Sequence, residues 1–475
     1  MAAMFRKLES KFGYRFTMEL ITVLFCYTIP MKGLGLQALL FDGVCHDMVQ
    51  NTTICGDRYS ASNDLVQVQQ QTSLWYMYGN IILTVPAVIS SMFQGRYVDL
   101  YGFALPFKVQ LGGAIIGAVA LAGIAWIESH YRYAMLVVLT LGLSGYPMSF
   151  MMSIFSYIAL STNEDQRAYR MSIIVACLSL AMSAGIASFG PIVDNLGLHW
   201  VFAIQVIPLS LALLDVIYRI LPHGAVQRGS NGVSLFHRLK NTFSFASTKD
   251  YVTTMTKIRA NRGRCHLHLA VFAIILWFTA MIGSVDTEYL FLTKERRFDN
   301  TQLSMFMATG NVLMFFGNII VLYFLKTKLK MSDLFVAGIG CVSAIGGYLG
   351  LGLARTAPAL WLVNGFAFLS GLQVVGLRTY VSNQVDASEQ GVIFSYISSM
   401  EAIFKLVAGI TFNGIYFLAV AVWPGLPFIF AAVLNVVSLG VVTFLYYSTR
   451  SHSGVQSDDC ALAEEEATPL LKTES

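Results

Sequence analysis

The chain reads as an all-α polytopic membrane protein with twelve transmembrane helices in two six-helix halves. Three observations predict this. Of 475 residues, 56% are hydrophobic and only 12% are charged, against about 25% charged in an ordinary soluble domain. Twelve separate stretches are apolar enough to cross a bilayer, which takes about 20 residues each. One polar, basic segment divides those stretches six and six. There are too few polar residues to coat soluble domains, so soluble enzymes, nucleic-acid binders and disordered scaffolds are poor fits.

The spans are expected at 17–41, 73–93, 106–127, 133–159, 171–192 and 199–221 in the first half. In the second half they are expected at 266–292, 302–326, 332–353, 358–382, 391–417 and 424–447. The organisation is then an N-terminal segment 1–16, a six-helix bundle 17–221, a linker 222–264, a second bundle 265–447 and a tail 448–475. The segment before the first span is basic and long, and the span exceeds a signal-peptide core, so a retained first helix is expected. With a cytosolic N-terminus, 21 Lys and Arg fall on the cytosolic side and 6 outside. That bias fixes the expected orientation, with both termini cytosolic. The cluster Lys294, Arg296, Arg297 is a local exception.

Two connections stand out. The first outer loop holds the sequon Asn51-Thr52-Thr53, which the charge rule places where glycans are added. It also holds Cys45 and Cys55, on the side where a disulfide persists; they form a pair or remain two thiols. The linker 222–264 carries eight Lys and Arg against one acid, Asp250. Its charge serves attraction to anionic membrane lipids or acts purely as a topology signal.

A charge at the bilayer centre costs about 2.5–3.5 kcal/mol on insertion scales, so ionisable residues inside spans are functional candidates. In the tenth span Arg378 has no partner within a turn and must find its counter-charge elsewhere. Glu401 and Lys405 stand i,i+4 on the eleventh span, a spacing that lets them neutralise each other. Asp215 and Arg219 in the sixth have the same spacing. Asp286 and Glu288 lie near the outer end of the seventh span, and Lys32 and Glu19 are in the first, with Glu19 expected at the interface. His266 and His268 are expected at the membrane surface; their i,i+2 spacing splays them apart, so no metal site is expected. No HExxH, GxSxG, GxxxxGK or CxxC motif is present. An enzyme and a bound cofactor are therefore not expected.

After the second span comes Gly95-Arg96-Tyr97-Val98-Asp99-Leu100-Tyr101-Gly102, then Lys108. It resembles the loop motif of the major facilitator superfamily, with Gly95, Asp99 and Gly102 at the characteristic positions. Glycines there permit a tight turn against a neighbouring helix. Leu100, Phe103 and Ala104 stand where the family has basic residues. The resemblance implies a major facilitator fold, with solute bound near the midplane between two rocking halves.

A narrower resemblance rests on Ala387-Ser388-Glu389-Gln390-Gly391-Val392-Ile393-Phe394, on Thr411-Phe412-Asn413-Gly414-Ile415-Tyr416 followed by Trp423-Pro424-Gly425, and on Arg167-Ala168-Tyr169-Arg170-Met171. These are similar to segments of the proton-coupled folate transporter family, solute carrier family 46, and more to its lysosomal branch than to the folate carrier. The resemblance implies a proton-coupled secondary transporter of an anionic or zwitterionic organic solute, folate-like or muropeptide-like. The family's tenth-helix arginine falls on Arg378 and the lysosomal branch's eleventh-helix glutamate on Glu401. The folate carrier's three coupling residues fall on Leu160, Val175 and near Gly283, which argues against folate and its coupling route. The family bridges its first outer loop to its seven-eight loop, but 294–302 holds no cysteine here, which implies that Cys45 pairs with Cys55.

The substrate-binding or coupling candidates are thus Arg378, Glu401, Lys405, Asp286 and Glu288, with a small solute and protons as partners. The alternative is a non-transporting sensor or receptor on a transporter fold, with linker and tail docking partners. In the tail, Glu466 precedes Leu470-Leu471 by four residues. This resembles an acidic dileucine signal read by a clathrin adaptor as a short extended peptide. The expected address is an endolysosomal or plasma membrane.

Overall fold

The computed structural model describes residues 17–49, 63–127, 130–161, 164–220, 263–295, 298–385 and 390–467. Asn51, Cys55, the linker from 222 to 262, and Leu470 with Leu471 lie outside them. Among the described residues there are helices and no strands. Hydrocarbon offers no partner to a backbone N–H or C=O, and a helix satisfies both internally.

In the first half α1 spans Thr17–Met48, α2 Asn63–Tyr101, α3 Ala104–Trp126, α4 Tyr133–Leu143, α5 Met148–Ser161, α6 Glu164–Leu196 and α7 Leu198–Asp215. In the second, α8 spans Gly263–Glu295, α9 Asn300–Tyr323, α10 Asp333–Leu353, α11 Ala357–Ala367, α12 Leu372–Asn383, α13 Gln390–Ala419 and α14 Leu426–Ala467. Twelve segments are long and apolar enough to cross a membrane, because α4 with α5 and α11 with α12 each make one span.

Several expectations need correction. The second span, expected over 73–93, belongs to a 39-residue helix that runs through Gly95 and Asp99. The loop motif is therefore mostly helical, and only Gly102, at φ +91°, makes the turn. The chain can turn there because glycine alone takes that conformation freely. The last helix continues to Ala467, so Glu466 is helical where an extended peptide was expected. Ala, Leu and Glu are strong helix formers and fill that stretch.

The fourth and tenth spans are broken, at corresponding places in the two halves. The first break, 144–147, contains Gly145 at φ +84° and Pro147. Its exposed carbonyls are taken up by α2: Ser90 Oγ donates to Leu143 O at 2.9 Å and Gln94 Nε2 to Ser144 O at 2.9 Å. Gln110 Nε2 donates in turn to Gln94 Oε1 at 2.5 Å. The second break, 368–371, is stitched by Ser343 of α10, whose Oγ donates to Phe366 O at 2.6 Å and accepts from Leu369 N at 3.1 Å. Broken helices in matching positions of two repeats mark the region where transporters bind their solutes.

With an even number of spans among the described residues, the start of the first span and the end of the last lie on one side, here called the near side. The halves are joined on the opposite, far side. Tyr416 Oη donates to Gln69 Oε1 at 2.8 Å, Gln70 Nε2 to Phe417 O at 3.0 Å, and Ser73 Oγ to Asn413 O at 3.0 Å. Across the other seam, Asp194 accepts from Asn300 Nδ2 at 2.8 Å, Thr301 N at 3.0 Å and Thr301 Oγ1 at 2.6 Å. One apolar cluster spans both halves there, with Phe41, Val68 and Phe189 against Tyr289, Phe306 and Tyr416. The two halves are therefore in direct contact on the far side.

Gly190 is a point of close approach in that seam. A Cβ at this position would stand 2.2 Å from Asn300 O and 2.4 Å from Thr301 Cα, and neither is a flexible side-chain end. Gly190→Val should oppose far-side closure, since such overpacking costs about 1–3 kcal/mol. Spin labels at Leu196 and Gln302 should report a longer separation in the variant; an unchanged distance distribution would refute this account of the seam.

Candidate functional site

Asp286 of α8 sits where the halves meet, half-buried. Its carboxylate Oδ2 accepts from Asn80 Nδ2 of α2 at 2.9 Å, and Tyr76, also on α2, lies beside the same carboxyl. Gln37 Nε2 of α1 donates to the Asp286 carbonyl at 2.9 Å and lies near Tyr76. Lys405 of α13 supplies the neighbouring positive charge. Five side chains from α1, α2, α8 and α13 therefore form one polar cluster across the seam.

Close packing lets α8 and α13 share this cluster. A Cβ at Gly283 would meet the Phe412 ring at 2.1 Å, so the helices pack too closely for a larger residue. The folate carrier's histidine position thus has no room for a side chain here. Val175, where that carrier has a glutamate, is apolar and half exposed.

Glu288 lies two residues beyond Asp286, about 200° round the helix. It faces Tyr348 of α10 within its own half and is not part of the seam cluster. The pairing expected of Glu401 with Lys405 is not formed. Glu401 instead accepts a hydrogen bond and ion pair from Arg378 of α12, with the two side chains 13% and 44% exposed. Helical spacing permitted the i,i+4 pair, but Asp286 draws Lys405 to the seam and leaves Glu401 to the longer guanidinium.

Other intramembrane charges fall into place. Glu19 was expected at the interface but is 4% exposed and pairs with Arg170 of α6 at 3.4 Å. Its helix begins deep enough for the neighbouring α6 to cover it. His266, also expected at the surface, is buried and shares a 3.0 Å hydrogen bond with Ser448 Oγ. His268 is exposed, so the two histidines do splay apart. No cluster of three metal-ligating side chains occurs among the described residues. The side chain of Arg219, the expected partner of Asp215, lies outside the described residues. Cys45 is disulfide-bonded; Cys55 lies outside the described residues.

Lys32 stands apart. It sits midway along the first span, is 5% exposed, and its Nζ has no hydrogen-bond partner. Its neighbour is the ring of Tyr146, 4.1 Å from Nζ to the centroid, in the break of the fourth span. The sequence reading placed charged residues correctly inside spans but missed Gln37, Tyr76 and Asn80. Their signal was present: uncharged polar groups interrupting apolar spans, which must find partners inside the protein.

The chain matches the Major Facilitator Superfamily over residues 81–409. A lysosomal proton-coupled steroid conjugate and bile acid symporter of Bos taurus is 24% identical over 409 residues, covering 85% of this chain and 87% of the relative. A proton-coupled folate transporter of Rattus norvegicus is 24% identical over 383 residues, covering 80% of each. Among solved structures, a POT family transporter in complex with 5-aminolevulinic acid superposes with a TM-score of 0.63 at 15% identity, over 92% of this chain and 97% of that one. The human organic anion transporter MFSD10 does so with a TM-score of 0.58 at 14% identity, over 90% and 99%.

The cluster makes a specific demand on charge. Lys405→Met should leave Asp286 without its compensating cation, and an unpaired buried charge is strongly destabilising. A severalfold loss of folded full-length protein is expected by size-exclusion chromatography. Adding Asp286→Asn should restore it; adding Glu401→Gln should not. Rescue by Glu401→Gln would show that Lys405 answers to Glu401 after all.

Proposed function

The chain belongs to the Major Facilitator Superfamily, and from that premise we propose that it is a proton-coupled secondary transporter of an anionic or zwitterionic organic solute. It is a multi-pass membrane transporter and not an enzyme. The curated relatives carry steroid conjugates, bile acids or folate with protons, which supports an organic solute and a proton as the transported pair. No feature of the chain favours the sensor reading.

One observation carries the mechanism: Asp286, with the Lys405 charge nearby, is hydrogen-bonded to Asn80 across the seam the halves must open and close. In the empty carrier, ionised Asp286 and the Lys405 ammonium compensate each other. When Asp286 takes a proton, its charge disappears and Lys405 is free to hold the solute's anionic group. Both states are neutral at the seam. A carrier loaded with only one of the two leaves an uncompensated charge in a poorly hydrated interface, and such states cross slowly. Coupling follows from that penalty. The groups facing Asp286 are Asn80 and Tyr76 of α2, Gln37 of α1 and Lys405 of α13; Lys405 alone among them is a cation.

Arg378, paired with Glu401 near the near-side end of the tenth span, meets the solute where the seam opens. A guanidinium can exchange one carboxylate for another while keeping its two-pronged geometry. The Lys and Arg distribution makes the near side cytosolic. Asn51 then lies on the glycosylated side, Cys55 is the partner of Cys45, and the 222–264 linker meets anionic lipid. A lysosomal location would supply an acid lumen to drive solute toward the cytosol.

Reconstituted full-length protein should take up solute from a panel of carboxylated metabolites when a pH gradient is imposed. Asp286→Asn should abolish the pH dependence yet leave solute exchange at zero gradient. Arg378→Lys should raise half-saturation severalfold. Wild-type pH dependence in Asp286→Asn would remove that residue from coupling. For the address, Leu470→Ala with Leu471→Ala should move a tagged protein from lysosomes to the cell surface; continued lysosomal residence would exclude the dileucine signal.

A further inference from the structure

We propose that Lys32 is a second anion-binding residue, belonging to the N-terminal half, which receives a carboxylate or sulfate-type group at the break of the fourth span. The assignment rests on the transporter reading above but uses none of its residues. Lys32 is 5% exposed and its ammonium has no hydrogen-bond partner. Other buried or half-buried cations of the two bundles have an acid close by: Arg170 has Glu19, Arg378 has Glu401 and Lys326 has Asp333. Lys32 has no such acid among the described residues.

What Lys32 has instead is an aromatic face. Its Nζ lies 4.1 Å from the centroid of the Tyr146 ring. A cation–π contact contributes about 0.5–2 kcal/mol, too little to offset the burial of an ammonium. The position is therefore one that an arriving anion stabilises strongly. Tyr146 stands two residues before the first residue of α5, Met148, where a 14-residue helix begins. The N-terminal end of a helix is electropositive, so the break and the ammonium favour the same ligand charge. The depth is right for a transported solute, since Lys32 lies midway along the span Met18–Met48.

The chemistry is exchange of partners. An anion reaching the break replaces the Tyr146 ring as the principal neighbour of the ammonium and gains the helix end as well.

Thermal unfolding of purified full-length protein, followed by tryptophan fluorescence, tests this with sodium sulfate as the probe and sodium chloride at equal ionic strength as the reference. Wild type should show a saturable sulfate-dependent rise in midpoint. Lys32→Met should lose the saturable part and keep only the linear rise that sulfate gives any protein. Its midpoint without sulfate should equal or exceed that of wild type, because an apolar side chain replaces an unpaired buried charge. Lys32→Arg should retain the saturable rise, as should Lys108→Gln at an exposed lysine. Should Lys32→Met not fold, Lys32→Gln serves the same comparison. A saturable rise of wild-type size in the Lys32→Met or Lys32→Gln variant, or none in wild type, overturns the assignment. Sulfate binding that depends on Lys32 in a protein without pH-driven flux would leave this site standing and remove the coupled-transport reading instead.

Discussion

Charge in a medium that cannot solvate it is the constraint on which the rest of this structure depends. A lone ionised group in the bilayer interior is costly, and where such groups are matched the matches show which helices belong together. Glu19 ties α1 to α6 through Arg170. Glu401 ties α13 to α12 through Arg378. Both pairs lie within a half and would travel with it as the bundles rock. Asp286 differs, because its bonds reach Asn80 and Tyr76 of the other half while Lys405 comes from its own.

The same demand applies to the backbone. Two spans are interrupted, and at each break a neighbouring helix supplies the missing partners: Ser90 and Gln94 for the fourth, Ser343 for the tenth. These stitches hold irregular backbone at membrane depth without exposing it to lipid. They also bring the breaks next to the ionisable groups. Tyr146 lies in one break beneath Lys32, and Arg378 lies on the helix that follows the other. Broken helices and intramembrane charges are thus one arrangement seen from two sides.

Much of the fold could be read directly from residue order. Apolar runs located twelve spans, and the basic linker divided them, because partitioning into hydrocarbon depends on local composition over about 20 residues. The ends were less legible. The second helix runs ten residues before and eight after the expected 73–93, since a helix can extend into the interface on polar residues that hydropathy excludes. The breaks were not foreseen either, as Gly and Pro are frequent in membrane helices that stay continuous; α1, α2, α6 and α7 keep Pro30, Pro86, Pro191 and Pro208 inside them.

The site shows the same division. The sequence by itself determined which ionisable residues are inside the membrane: Lys32, Asp286, Glu288, Arg378, Glu401 and Lys405 are visible as charges within apolar runs. It could not determine whom each would face. Asp286 and Glu288 look equivalent in sequence, yet one meets the opposite half and the other meets Tyr348. Glu401 and Lys405 look like a pair, yet Glu401 pairs with Arg378 and Lys405 has Asp286 as its nearby acid. Helix rotation and the packing of α8 against α13 at Gly283 and Phe412 decided these outcomes. Burial of a charge is a property of one segment, whereas compensation is a property of two segments brought together by the fold.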